Sequence, residues 1–379
     1  MTTYYVDPDA MEGDDGESVD APWTWDEFLN HINTGGAGDI IYVKAGTYYH
    51  YGSGIIYRSG GSTTPIVVRG YSSTPGDLDG KRTSSMTPGT NMPLVQMYSS
   101  SNYFGIDGTY WSWENIAFKR NDNANRPAYY MRTDYSHYNN CRFIALGTGG
   151  TSAYSCEGNG GRNTFIACSF EITSASASAA NVVVSGHNSF HGCVFKQGTS
   201  SKVNYYNDKY GTFSNNFFIG GSIGFQGAGQ TNLATVVGNT FYNCTTGATY
   251  RVTSGISYIN NLFHTCTTGI DSNSNAQFGS SGDNNSTPLI NNNSFFNCST
   301  NIANVNANTP ARDTIAESSD PLTNAGTDFS LVSGASSLES GFPYMFPLID
   351  QRQYLDVGAV QKEDGGGGGG GSTVIVIEE

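Results

Sequence analysis

Gly238-Asn239-Thr240-Phe241 is followed 22 residues later by Asn260-Asn261-Leu262-Phe263, and then by Asn292-Asn293-Ser294-Phe295. The same pattern runs upstream as Asn215-Asn216-Phe217-Phe218, Gly192-Cys193-Val194-Phe195, Ala167-Cys168-Ser169-Phe170, Asn140-Cys141-Arg142-Phe143 and Asn115-Ile116-Ala117-Phe118. Its phenylalanines are separated by 25, 27, 25, 23, 23, 22 and 32 residues. A near-constant period of this size marks one structural unit per repeat, with an insertion around Asp283. The period is too short for two packed helices, and the segments carry no apolar stripe at helical spacing. They hold short β-branched runs such as Val182-Val183-Val184, punctuated by Gly, Asn and Ser.

Three short strands and three turns fit one such repeat. Each coil must stack on the next, because its backbone groups need partners about 4.8 Å above and below. The sequence therefore predicts an all-β chain: a right-handed parallel β-helix in which Phe118, Phe143, Phe170, Phe195, Phe218, Phe241, Phe263 and Phe295 form one interior stack. Two positions earlier, Cys141, Cys168 and Cys193 give way to Asn216, Asn239, Asn261 and Asn293, whose amides are expected to bond along the coil axis. The column after each Phe (Lys119, Ile144, Glu171, Lys196, Ile219, Tyr242, His264, Phe296) should face outward, with Glu171 and Lys196 as a surface ion pair. Seven cysteines with no CxxC spacing exclude a zinc ribbon and read as buried free thiols.

Residues 1–39 read as a strand, an acidic turn and a helical cap, since Trp25, Phe28, Leu29 and Ile32 fall at helical spacing within Trp23–Ile32. Residues 40–310 carry the coils, and 311–362 leave the Phe period and are expected to close the far end. A glycine linker occupies 363–372 and a short strand 373–379.

Only 13% of residues are charged, and the net charge of -14 speaks against a nucleic-acid partner. It also disfavours acidic polysaccharides unless a cation bridges them. No apolar run is long enough to span a membrane. Thr2 to Val6 directly follow Met1 with no basic or apolar leader, so synthesis and assembly in a host cytoplasm are expected.

Tyr4-Tyr5-Val6-Asp7, the acidic turn, Gly38-Asp39-Ile40-Ile41-Tyr42-Val43-Lys44-Ala45-Gly46-Thr47-Tyr48 and Pro65-Ile66-Val67-Val68-Arg69-Gly70-Tyr71 resemble the start of pectate-lyase-like right-handed β-helix proteins. Asp320-Pro321-Leu322 through Asp328-Phe329, and Asp356-Val357-Gly358-Ala359, resemble their C-terminal coil. The resemblance covers residues 1 to about 361. It implies the fold, in a superfamily of lyases, glycosidases, epimerases, phage tailspikes and inert adhesins, so the function rests on the residues themselves.

A lyase resembling pectate lyase would carry clustered calcium-binding aspartates beside a basic residue, and the coils show no such cluster. Asp134 and Glu157, 23 apart, with His187 and nearby Arg162, are the candidate catalytic group if the chain is an enzyme. Asp7, Asp9, Asp14 and Asp15 form the candidate calcium cluster in the N-terminal turn, and no other cofactor is implied. Tyr129, Tyr130, Tyr205, Tyr206 and Tyr210 are candidates for stacking on sugars.

After Lys362-Glu363-Asp364 come seven glycines and Ser372-Thr373, then Val374, Ile375, Val376 and Ile377. The glycines make a tether of roughly 15 Å, and the β-branched run is expected to add as a strand to another subunit. Taken with the phage members of the superfamily that the chain resembles, the resemblance implies a structural phage protein on the virion surface, either capsid decoration or a fibre. It would be anchored to other virion proteins through this strand, open to homo-oligomerisation, and touching cell-surface polysaccharide. The alternatives are a tailspike-like lyase or glycoside hydrolase, and a glycan-binding module without turnover.

Overall fold

The computed structural model describes residues 2–51, 53–81, 85–97, 103–121, 127–146, 154–173, 181–197, 203–207, 211–227, 233–250, 255–271, 289–304, 311–312, 314–324 and 328–337. The chain divides into two compact units, residues 1–189 with 196–202, and residues 190–195 with 203–379. Both are built from one repeating coil of three strands, one in each of three parallel sheets.

In the first unit, the first sheet contains Ile66–Tyr71, Trp111–Glu114, His137–Asn139 and Thr164–Ile166. The second contains Pro93–Met97, Ala117–Arg120, Arg142–Ala145 and Ser169–Ile172, and the third Ser53–Tyr57, Tyr103–Thr109, Pro127–Asp134 and Tyr154–Gly158. In the second unit the order repeats, with Leu233–Val237, Thr240–Tyr242 and Thr246–Tyr250 making one coil. The architecture is a right-handed parallel β-helix, the hand that parallel crossovers take.

The turn between first and second sheets explains the first letter of the repeated motif. Asn115, Asn140, Ala167, Asn215, Asn260 and Asn292 all have φ between 52° and 57°, and Gly192 and Gly238 share that region at 62° and 63°. One left-handed residue bends the chain sharply between two strands, and Asn and Gly tolerate that conformation best.

The phenylalanines fall into register as expected: Phe143 pairs with Phe118 and Phe170, and Phe263 with Phe241 and Phe295. In the first unit the rings of Phe118, Phe143 and Phe170 stack at 5.5 and 4.9 Å. In the second, Phe195, Phe218, Phe241 and Phe263 stack at 4.7 Å and Phe295 continues at 5.1 Å. Each ring needs space across the core. A Cβ on Gly224, Gly247 or Gly269 would lie 2.8, 2.4 or 2.5 Å from the ring of Phe241, Phe263 or Phe295. These glycines are required by close approach.

The asparagine column of the second unit is continuous. Asn216 Nδ2 donates to Asn239 Oδ1 at 2.9 Å, Asn239 Nδ2 to Asn261 Oδ1 at 3.0 Å, and Asn261 Nδ2 to Asn293 Oδ1 at 2.9 Å. In the first unit Cys141 and Cys168 occupy that position and donate to the carbonyls of Trp113 and Tyr138, both at 3.3 Å. All seven cysteines are free and six are buried.

The cap helix spans Trp25–Thr34, with Thr24 and Glu27 forming a capping box; Trp23 lies outside it. Trp25 covers the core through Tyr48 and Phe104, at 5.3 and 5.9 Å between rings.

The outward column after the phenylalanines is less exposed than its alternation suggested. Ile144 and His264 are buried, because long segments cover the outer face of the second sheet. In the second unit the hairpin Leu322–Asn324 and Asp328–Leu331 packs Leu322, Phe329 and Leu331 on Phe217 and Leu262. Ala311–Arg312 and Ile315–Ala316 add the last described strands of the first and second sheets, and the hairpin after them lies along a flank; 338–379 fall outside the described residues. In the first unit Leu78, Met86 and Met92 pack on Leu94 and Ala117. Glu171 is bound by Arg142 at 2.7 Å rather than by Lys196, the guanidinium reaching across from the preceding strand.

Candidate functional site

The outer face of the third sheet in the first unit carries the exposed chemistry. Strand Pro127–Asp134 begins with three buried residues, Pro127, Ala128 and Tyr129, and then alternates: Met131 and Thr133 are buried, while Tyr130, Arg132 and Asp134 point outward. Register sets Tyr130 between Gly105 and Glu157, Arg132 beside Asp107, and Asp134 beside Thr109. Tyr57, 67% exposed, pairs with Asp107 on the other side. Two outward rows thus run along the coil axis, Tyr57–Asp107–Arg132 and Tyr130–Glu157.

Arg132 lies 5.2 Å from the Tyr130 ring centre and 3.5 Å from the Asp107 carboxylate. Its guanidinium is held more firmly protonated than usual, first by the Tyr130 oxygen and then by Asp107. Both members of the ion pair are over a third exposed, so it is worth under about 1 kcal/mol. Its effect is to orient groups rather than to stabilise the fold.

At the adjoining corner, Tyr110, Tyr135 and Arg162 occupy one position on three successive coils, with φ of 58°, 56° and 60°. Bulky residues in this region carry strain of about 1 kcal/mol or more. Tyr110 and Tyr135 stack at 5.3 Å, and the Arg162 guanidinium lies 4.9 Å from the Tyr135 ring and donates to its hydroxyl. Tyr135 is 39% exposed. The result is a fixed aromatic and cationic edge beside the sheet face.

The residues expected from sequence distribute unevenly over this site. Asp134 and Glu157 do lie on neighbouring strands of one sheet, but Glu157 is in register with Tyr130, four residues before Asp134. That offset is about 13 Å along the strand, beyond the spacing of a glycosidase pair. Asp134 accepts from the Gly161 N–H at 2.6 Å, and the His187 backbone reaches the same glycine. The structure stacks Asp134 and His187 at one corner on either side of Gly161 and leaves Glu157 on the face.

Of the candidate tyrosines, Tyr129 is fully buried and bonded to Tyr138 at 2.9 Å, so it is a core residue; the strand alternation that exposes Tyr130 turns it inward. Burial pushes its hydroxyl well above the ordinary tyrosine range. Tyr205 and Tyr206 pair in register with Phe225 and Gln226. Tyr210 lies outside the described residues, as do Val374, Ile375, Val376 and Ile377.

Among the described residues no group of three or more His, Cys, Asp or Glu is placed to hold a metal ion. Asp7 instead receives Lys44 Nζ at 2.7 Å and the Asp9 N–H at 2.9 Å, and Asp15 receives the Glu17 N–H. Asp107 and Arg132 were missed in the sequence reading, although alternation from Tyr130 marks Arg132 and Asp134 as its outward neighbours.

No family model and no curated protein matches the sequence. Among solved structures the chain is similar to pectate lyase Pel9A, with a TM-score of 0.62 and 16% identity over 96% of this chain and 97% of that one. It is also similar to a rhamnogalacturonan lyase, with a TM-score of 0.57 and 13% identity over 83% of this chain and 87% of that one. At such identities the likeness shows the parallel β-helix fold alone. No helix among the described residues is long and apolar enough to cross a membrane.

Proposed function

We propose that the chain is a glycan-binding β-helix that holds polysaccharide on the outer third-sheet face of its first unit without cleaving it. The observation that carries this reading is the pair of outward rows, Tyr57–Asp107–Arg132 and Tyr130–Glu157, on a face where successive coils each add an aromatic or charged group. Tyrosine faces and edge-on polar groups are what a sugar surface needs, an apolar ring face beside hydroxyls that bond in the plane. The wide offset between Asp134 and Glu157 supports binding over hydrolysis. We further propose that the protein sits on a virion surface as decoration or fibre, with Val374–Ile377 adding as a strand to a neighbouring virion protein; the glycine tether and β-branched run support that part.

Incubation with a panel of bacterial capsular polysaccharides tests the reading. Retention with no shortening of the polymer is expected, and Tyr130→Ala should weaken retention several-fold. Depolymerisation that disappears in Glu157→Gln would establish the tailspike-like enzyme instead. Deleting residues 365–379 should abolish assembly on the particle; a truncated chain that still assembles removes the anchor.

A further inference from the structure

We infer that the glycan held on this face is a neutral, extended polysaccharide lying parallel to the coil axis, and that acidic polysaccharides are excluded. The inference rests on the glycan-binding reading above and adds the ligand's charge and direction. Among the described residues of the face and corner, three carboxylates (Asp107, Asp134, Glu157) meet two guanidiniums (Arg132, Arg162). Both guanidiniums are engaged. Arg132 is held between Asp107 and the Tyr130 ring, and Arg162 lies on the Tyr135 ring with a bond to its hydroxyl. Asp134 accepts a backbone N–H from Gly161, which leaves its negative charge in place.

A carboxylated sugar would therefore approach a face of net negative charge on a chain of net charge -14, where neither arginine can turn to it without breaking an existing pair. A neutral sugar meets no such barrier and can use the tyrosine faces and the carboxylates as hydrogen-bond acceptors. Direction follows from register. The groups of each row come from successive coils about 4.8 Å apart, so a polymer along the axis meets an outward aromatic or charged group at every coil it passes.

Affinity electrophoresis of the full chain tests this at low salt with EDTA present, using dextran and galactomannan as neutral probes and polygalacturonate and alginate as acidic ones. The expected result is retardation by a neutral polymer, strengthening with oligosaccharide length, and none by either uronate. In Asp107→Asn combined with Glu157→Gln, which frees Arg132 and removes two charges, uronate retardation should appear and fade again as salt is raised. Retardation of the native chain by uronates alone overturns the charge assignment while leaving glycan binding intact. Affinity that does not grow with oligosaccharide length overturns the axial direction. Retardation by none of the four polymers overturns both this inference and the reading beneath it.

Discussion

The two units solve the same corner differently. Two residues before the stacked phenylalanine, the first unit places Cys141 and Cys168, and the second Cys193 followed by Asn216, Asn239, Asn261 and Asn293. A thiol donates one weak bond to a carbonyl. Each central asparagine does more. Asn239 donates to the Phe213 carbonyl and to Asn261 Oδ1, while its own oxygen accepts both the backbone N–H and the amide of Asn216. Buried amide chains of this kind are costly to interrupt, because each break strands several donors and acceptors. The coil period differs as well. From Phe195 to Phe263 the second unit spends 23, 23 and 22 residues per coil, with inward glycines opposite the rings, before the 32-residue step to Phe295; the first unit spends 25 and 27. The stretch from Phe195 to Phe263 is the more regular scaffold, and the first unit carries the candidate site.

The largest expected effect comes from exchanging the two solutions. Asn239→Cys should cost about 3–4 kcal/mol in urea unfolding, since Asn216 and Asn261 both lose buried partners, while Cys168→Ala should cost about 1 kcal/mol. Equal losses at the two positions would erase the contrast. Next comes Gly247→Ala, which sets a methyl 2.4 Å from the Phe263 ring. It should destabilise by about 2 kcal/mol, relieved when Phe263→Leu is added; a neutral result would mean the rings are not held as described.

The smallest effect is confined to the N-terminal cap and sharpens the contrast by pH. Against the upward push of burial, the Gly13 and Thr24 bonds hold Glu27 below the usual carboxylate range. Burial lowers His31, which faces Asp39, Arg58, Tyr4 and Trp23, despite the opposing pull of Asp39. A depressed Glu contributes stability above its unfolded pKa and loses it on acidification; a depressed His is neutral in the fold and likewise favours folding at higher pH. Tryptophan near-UV dichroism from the cap should therefore weaken as pH falls from about 6.5 through 4, with far-UV strand signal unchanged. A cap signal flat to pH 3 would show that neither group is linked to it.

The coil and its columns were legible because stacking forces period onto sequence: a residue facing the core in one coil has an equivalent about one period later. The left-handed corner was written in the same motif, as Asn or Gly three places before every stacked Phe except Phe170, which Ala167 precedes, yet it reads as mere polarity without a φ angle. The flank covers were not legible. Leu322 and Phe329 look like any strand pair, and nothing local says they lie on Phe217 and Leu262. The site was half legible. Tyr130 and Glu157 were named, but pairing by a count of 23 put Asp134 with Glu157, where the register is set by Tyr130. Connections of differing length shift register along the strand, and a residue count cannot see that.

The stacking and the facing of the first-unit strand are tested together by a diffraction map of the crystallised protein at side-chain resolution. The expected map has Phe241, Phe263 and Phe295 ring centres 4.7 and 5.1 Å apart in one column, with Tyr130 and Arg132 turned to solvent and Tyr129 inside. Rings dispersed among different sheets, or Tyr130 buried with Tyr129 outside, would contradict both.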